Sequence, residues 1–268
     1  MEKSKEYILR YQRQITLNGF GIVSQEKLTN AKVLVVGAGG LGCPILQYLV
    51  AAGVGKVGII DNDQVALSNL NRQILFGQED IGKDKAVIAA QKLAEQNNLV
   101  KLNAFQQNCD QAFALEQFPQ YDIIVDATDN FATRYLINDA CVLLKKPLVF
   151  GAVSQFEGQV AVFNVNKEGQ SLNYRDLFPV PPKNNEVLSC AEGGVLGVLP
   201  GIIGMMQAME VIKLITGIGE VLANELLTYN ALSQEIYKMQ IVQHSDSEKN
   251  MPTTLDAFNS LNYQWLCS

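Results

Sequence analysis

KVLVVGAGGLGCPILQYLVAAG, residues 32–53, is the stretch on which the fold turns. Its first five residues are a short apolar run suited to a buried strand, and LGCPILQYLVAAG at 41–53 reads as a helix with Pro44 tolerated in the first turn. Between them stands GAGGLG, in which Gly37, Gly39, Gly40 and Gly42 let the chain turn tightly and expose amide donors at a positive helix end. That is a phosphate cradle in its required setting, after a strand and opening a helix. A second strand at 57–60 ends in Asp61, about twenty residues on, where a carboxylate in such a fold accepts ribose hydroxyls. Alone, these features indicate a nucleotide, against the plainer reading of a structural glycine turn, and a nicotinamide-dependent oxidoreductase fits them as well as anything.

Working outward, DKAVIAAQKLAEQ from Asp84 has the spacing of an amphipathic helix, and a weak strand covers 102–105. Residues 122–125 form another strand ending in DATDN, 131–144 a helix and 147–150 a further strand. Strands alternating with helices predict an α/β fold, a Rossmann-like doubly wound sheet whose first half is parallel. After Gly151 the pattern changes. Residues 159–165, LLTYN and QEIYKMQI read as antiparallel strands around a helix at 201–216, so the sheet continues with mixed pairing. We therefore expect one domain over 1–243, its nucleotide-binding half at about 1–150 and a partner-binding half at about 151–243. A tail follows over 244–268, whose Phe258, Tyr263 and Trp265 suit docking back onto the body. Residues 167–190, rich in Asn, Pro and charge, read as a long surface loop.

The chain has 268 residues, 48% of them apolar, enough for a large core. A net charge of -6 and the lack of any Lys/Arg block argue against nucleic acid. Five cysteines, an odd number with no CxxC pair, indicate reduced thiols rather than a disulfide framework or a tetracysteine zinc site. Cys43 and Cys141 fall on expected core helices and read as packing residues. The charged N-terminus lacks a secretory signal's apolar stretch, so a cytoplasmic location is expected. The uncharged run 193–209 is short for a bilayer span and broken by Pro200 and several glycines, which favours a loop entering a buried helix over a membrane segment.

The residues after Asp61 lead away from hydride transfer. Asp61, Asn62 and Asp63 run into VALSNLNRQ, which brings Asn69, Arg72 and Gln73 close behind the ribose carboxylate, and Lys85 opens the next helix. A glycine turn already serves a dinucleotide's pyrophosphate, whereas a triphosphate attacked at its α-phosphorus needs added cations. Each cation singly could be solvated surface. Asp126 and Asp129 stand at a strand's carboxyl end, where a carboxylate can hold Mg²⁺ against phosphate oxygens. The plainer alternative is that Asp129 or Asn130 caps the helix starting at Phe131.

With YQRQ at residues 11–14, GAGGLG, DNDxVxxSNLNRQ, GKDK, DATDN and SCAEGGVLGVLPG in this order, the chain resembles the ThiF/MoeB/HesA family, relatives of the adenylation domain of ubiquitin-activating enzymes. The resemblance runs from about residue 9 to about 239. It implies that Asp61 holds the ribose of ATP, with Asp63, Asn69 and Gln73 completing the pocket, that Arg72 and Lys85 bind the triphosphate, and that Asp129 positions Mg²⁺. It further implies a homodimer in which Arg13 reaches the neighbouring subunit's ATP site. The implied reaction is adenylation of the C-terminal Gly-Gly carboxylate of a ubiquitin-like sulfur carrier protein. A sulfur donor protein then converts the adenylate to a thiocarboxylate for thiamin or molybdopterin synthesis. Cys190 matches the cysteine that links covalently to the carrier in some members, an unreactive thiol at a helix entry being the plainer reading.

The chain departs from the pattern at one place. Where many relatives carry a first CxxC, it reads Asn173-Tyr174-Arg175-Asp176, and no second pair follows near 229–239, so no zinc is expected. Besides the oxidoreductase, two other readings stand: a non-enzymatic scaffold of the same family, which would lack the Arg, Lys or Asp, and an adenylating enzyme for another acceptor, a peptide C-terminus or a tRNA. The acidic charge disfavours the tRNA.

Overall fold

The computed structural model describes residues 4–181, 194–249 and 251–263. The chain opens with α1 (Lys5–Ile15) and α2 (Gly21–Asn30), neither of which the apolar periodicity picks out. Ser4 caps α1 by accepting the Tyr7 N–H at 3.1 Å. Next come β1 (Lys32–Val36), α3 (Gly42–Ala52), β2 (Lys56–Ile60), α4 (Lys85–Gln96), β3 (Lys101–Phe105), α5 (Gln111–Gln117), β4 (Ile123–Asp126) and α6 (Phe131–Leu143). The rest comprises β5 (Leu148–Ser154), β6 (Glu157–Phe163), α7 (Tyr174–Leu177), α8 (Val198–Thr216), β7 (Glu225–Asn230), β8 (Ile236–Gln240) and α9 (Leu255–Ser260).

The strands form one sheet in the order β3-β2-β1-β4-β5-β6-β7-β8. Pairing is parallel from β3 to β5 and antiparallel from β5 to β8. This is the doubly wound parallel half running on into antiparallel strands that the alternation of elements predicts. Strand β1 sits centrally and feeds both faces. Val33 and Val35 point into a core shared with α3, α4 and α8, while Leu34 and Val36 point into a second core with α5, α6 and the tail. Each such side chain, removed from water, contributes about 1.5–3 kcal/mol, which is why an unbroken apolar run marks this strand.

Three regions differ from the reading of the sequence. β5 and β6 pair along their whole length, Leu148 opposite Phe163 through Ser154 opposite Glu157, joined by the tight turn Gln155-Phe156 with Gln155 at φ +50. Gln-Phe carries no Asn-Gly or Asp-Gly signal, so the hairpin was invisible locally. The expected surface loop at 167–190 is, in its described part, tied into the body: Leu172, Tyr174 and Arg175 of the α7 region are buried. α8 begins at Val198, three residues before the expected start, because Pro200 lies in the first turn, where no intrahelical N–H is required.

α8 is long and apolar enough to cross a membrane by length and composition. Here it lies against α3, β5 and β6, with Leu199, Ile203 and Val211 fully buried. The tail docks as well: Phe258 and Tyr263 enter the second core, whereas Trp265 lies outside the described residues.

Candidate active site

After β1 the chain winds outward to β2 and β3, then returns to β4 on β1's other side. The crevice beyond the carboxyl ends of β1 and β4 is therefore a topological switch point, where open α/β sheets receive ligands. Register aligns the ends: Val36 faces both Ile60 and Asp126, and Ile60 faces Phe105. A cleft opens there, lined by the glycine turn, Asp61, Asp63, Arg72, Gln73, Lys85, Gln107–Cys109, Thr128, Asp129 and Arg134.

The glycine turn cannot carry side chains where it matters most. Gly37 has φ +99, and a Cβ there would stand 2.7 Å from the Ala127 carbonyl oxygen; at Gly42 it would stand 2.0 Å from the Gly37 oxygen. Asp61 braces this turn. Its carboxylate accepts the Ala38 N–H at 2.7 Å and the Asp63 N–H at 2.8 Å. Burial raises its pKa above the ordinary carboxylate value, and the two amide bonds oppose that rise. Lone pairs remain on both oxygens for ribose hydroxyls.

Lys85 is 4% exposed, and its ammonium donates to Asp63 Oδ2 at 2.9 Å. Arg72 reaches the cleft on a guanidinium steadied by the Ser68 carbonyl at 2.9 Å and the Asn71 side chain at 3.1 Å. Gln73 is buried at the cleft wall, and its Oε1 has no hydrogen-bond partner among the described residues. Asn69 takes another place. Its Oδ1 accepts the Ala66 N–H at 3.1 Å, so the side chain closes the short turn that carries Arg72 and Gln73 and does not line the cleft. That bond shapes the loop and leaves the Asn69 Nδ2 without a partner among the described residues.

At the opposite wall the helix cap falls to Asn130, whose Oδ1 accepts the Thr133 N–H at 2.9 Å. That releases Asp129, an exposed carboxylate on the cleft that meets no protein donor among the described residues. Asp126 is buried and inward: Oδ1 accepts the Thr128 N–H and hydroxyl at 2.9 and 2.7 Å, and burial raises its pKa against the pull of Arg134. Gln207 of α8 donates to the Asp126 carbonyl at 2.7 Å, so the long helix fixes the end of β4.

Arg13 is exposed on α1 and does not line its own chain's cleft. Cys190 lies outside the described residues. Burial pushes the Cys43 thiol up to about 12 and holds Cys141 well above its ordinary value, as suits packing residues. Sequence reasoning missed Gln107, Asn108, Cys109, Thr128 and Arg134. For Arg134 a signal existed: a cation inside a helix whose other residues are mostly apolar needs a partner, and the preceding DATDN supplies Asp126 and the Thr128 carbonyl, the latter at 3.0 Å.

A phosphate-binding glycine turn, a ribose-position carboxylate and a cation pair at a switch point define a nucleotide-binding α/β protein. The chain belongs to the ThiF family, whose sequence pattern matches residues 11–251. It is 51% identical over 243 residues to the sulfur carrier protein adenylyltransferase of Thermus thermophilus, covering 90% of each chain. It is 44% identical over 265 residues to the probable adenylyltransferase/sulfurtransferase MoeZ of Mycobacterium tuberculosis, covering 98% of this chain and 66% of MoeZ. The adenylyltransferase and sulfurtransferase MOCS3 of Xenopus laevis is 45% identical over 234 residues, 87% of this chain and 51% of that protein. Among solved structures, E. coli MccB with ATP superposes with a TM-score of 0.74 at 23% identity over 91% of this chain and 73% of MccB, a likeness of fold.

Proposed function

We propose that this chain adenylates the C-terminal carboxylate of a ubiquitin-like sulfur carrier protein. A carboxylate oxygen attacks the α-phosphorus of ATP, the bond to the bridging oxygen breaks, and pyrophosphate leaves an acyl-adenylate behind. The nucleophile is anionic at neutral pH, so the enzyme's work is alignment and charge neutralisation. The observation that carries this reading is the division of labour between Asn130 and Asp129: the neighbour caps the helix, and a free carboxylate is left facing a cleft that also holds Arg72 and Lys85.

In this reading the glycine turn holds phosphate, Asp61 the ribose, and Arg72 and Lys85 the negative charge of the triphosphate. Lys85 would exchange Asp63 for phosphate oxygens. Gln73 lines the same wall, its Nε2 beside Gly39 of the glycine turn. Mg²⁺ fits Asp129, a hard oxygen donor with no competing protein bond, and when bound would add positive charge beside the phosphates. Zinc does not fit the 173–176 turn, where Asp176 is spent on the N–H and side chain of Asn173, at 2.9 and 3.0 Å, and on the N–H of His244 at 3.1 Å.

The antiparallel half supports a protein substrate. β8 is an edge strand exposed along its length, and Phe156, Leu232, Ile236 and Met239 leave apolar surface around it. Leu9, Leu17 and Val23 on and beside α1 and α2 leave a second such surface, suited to a homodimer whose partner brings Arg13 to the cleft. The setting is cytoplasmic, and a sulfur donor protein consumes the adenylate.

The test is to incubate the protein with ATP, Mg²⁺ and carrier proteins ending in Gly-Gly, then weigh the carriers intact. Gain of an adenylate on the C-terminus is the expected result. A carrier set that stays unmodified while a peptide C-terminus is adenylated would move the assignment to another acceptor, and NADH binding without ATP binding would end it.

A further inference from the structure

The nucleotide cleft does not close at Cys109. Asn108, Cys109 and Thr133 line it and also line a second groove, whose far wall is residues 259–263 of the tail. Asp61 directly follows β2, and Gln107–Cys109 come after the adjacent β3. A nucleotide with its phosphates on the glycine turn and its ribose at Asp61 directs its base past β2 toward the loop after β3. The groove therefore opens off the base end of the site.

We propose that residues 259–263 form the base-side wall of the nucleotide site, with Tyr263 and Gln111 as the positioning residues that hold it; this rests on the reading of the cleft as an ATP site. Tyr263 is 4% exposed, and its hydroxyl donates to Asp139 Oδ2 at 2.8 Å. Asp139, fully buried on α6, also receives Arg175 Nε and Nη2, each at 2.8 Å. The Arg175 guanidinium lies over the Tyr135 ring, 4.7 Å from its centroid. The tail is thus tied to the helix whose first turns carry Thr133 and Arg134 into the cleft. A second tie comes from α5: Gln111 Nε2 donates to the Leu261 carbonyl at 2.7 Å, inside the groove wall itself.

The chemistry of these ties suits positioning. A buried carboxylate shared between a guanidinium and a phenol gains little over apolar packing in stability, but it admits one geometry only. Apolar contact alone, Phe258 beside Tyr263 at 5.8 Å, would keep the tail attached without fixing its register. The two hydrogen bonds, from separate helices, fix it against both α5 and α6.

The experiment is titration calorimetry of a non-hydrolysable ATP analogue and its GTP counterpart, without carrier, on the full chain and on Tyr263→Phe and Gln111→Ala. Each variant should bind the ATP analogue roughly three- to tenfold more weakly, the worth of one hydrogen bond, and its preference for ATP over GTP should shrink. At saturating ATP the rate of carrier adenylation should stay near wild type, so that the loss falls on KM. Gln111 is only half-buried and removes no core contact, so its variant reports even if Tyr263→Phe folds poorly. Wild-type affinity and unchanged base preference in Gln111→Ala would overturn the proposal. A wild-type chain that binds no ATP analogue would instead overturn the nucleotide-site reading itself.

Discussion

Asp129 and Asn130 are adjacent, both carry a side-chain oxygen, and only one can cap α6. Because Asn130 does so, Asp129 keeps a charge that no protein donor offsets among the described residues. Replacing Asp129 by Ala should leave the melting temperature near wild type while lowering adenylate formation about 10²- to 10³-fold, the usual cost of removing a charge-organising group from a transition state. Pyrophosphate exchange alongside thermal melting checks both halves. Asp61 gives a pH signature. Burial raises its pKa, and ribose recognition needs its ionised form, so nucleotide affinity should fall on acidification at a pH above the ordinary Asp value of about 3.9. For stability of the free protein the sign is opposite. The folded chain holds this proton more tightly, so the contribution is present below the unfolded value and lost as pH rises through the folded one. Affinity measured against pH for wild type and Asp61→Asn isolates the residue: the variant should bind weakly throughout and lack this acidic step.

α6 is the element on which binding and architecture meet. Its first turns serve the cleft through Thr133 and Arg134, and its middle holds Asp139 for Arg175 and Tyr263. Asp139→Asn would leave a guanidinium buried with no countercharge, at a cost of about 3–5 kcal/mol, which chemical denaturation should read as a large fall in midpoint. This cluster also shows where sequence reasoning stops. β1, the glycine turn and Asp61 were legible because each depends on neighbours within about thirty residues. The segment around Arg175 read as surface because Asn, Arg and Asp normally stay wet; its burial depends on Asp139, 36 positions away, a distance no local pattern spans. The Asn69 Oδ1 accepts from the Ala66 backbone, a local bond that its place in a motif does not reveal. α1 was missed as an element because its helix shows only Tyr7 and Tyr11 to the interior, too narrow a stripe to stand out from the charges around it.

At the scale of the whole molecule, the proposed role of Arg13 bears on whether one chain is a complete enzyme. It is exposed on α1 and does not line the cleft of its own chain, and Leu9, Leu17 and Val23 of the same N-terminal helices and their link are exposed as well. If a second subunit supplies Arg13 in trans, two different defects should repair each other. In a mixed dimer of Arg13→Ala and Asp129→Ala chains, the Arg13→Ala subunit keeps its own Asp129 and receives an intact Arg13 from its neighbour. The other cleft lacks both. Unfolding and refolding the two variants in equal amounts places half the dimers in the mixed form with one working site of two, so activity should return to about a quarter of wild type. Mixing without subunit exchange should restore nothing, and Arg13→Ala alone should stay inactive at any concentration. Recovery near zero after demonstrated exchange would mean that Arg13 acts within its own chain, whereas an Arg13→Ala chain as active as wild type would remove Arg13 from the site and leave its completion to Arg72, Lys85 and Arg134.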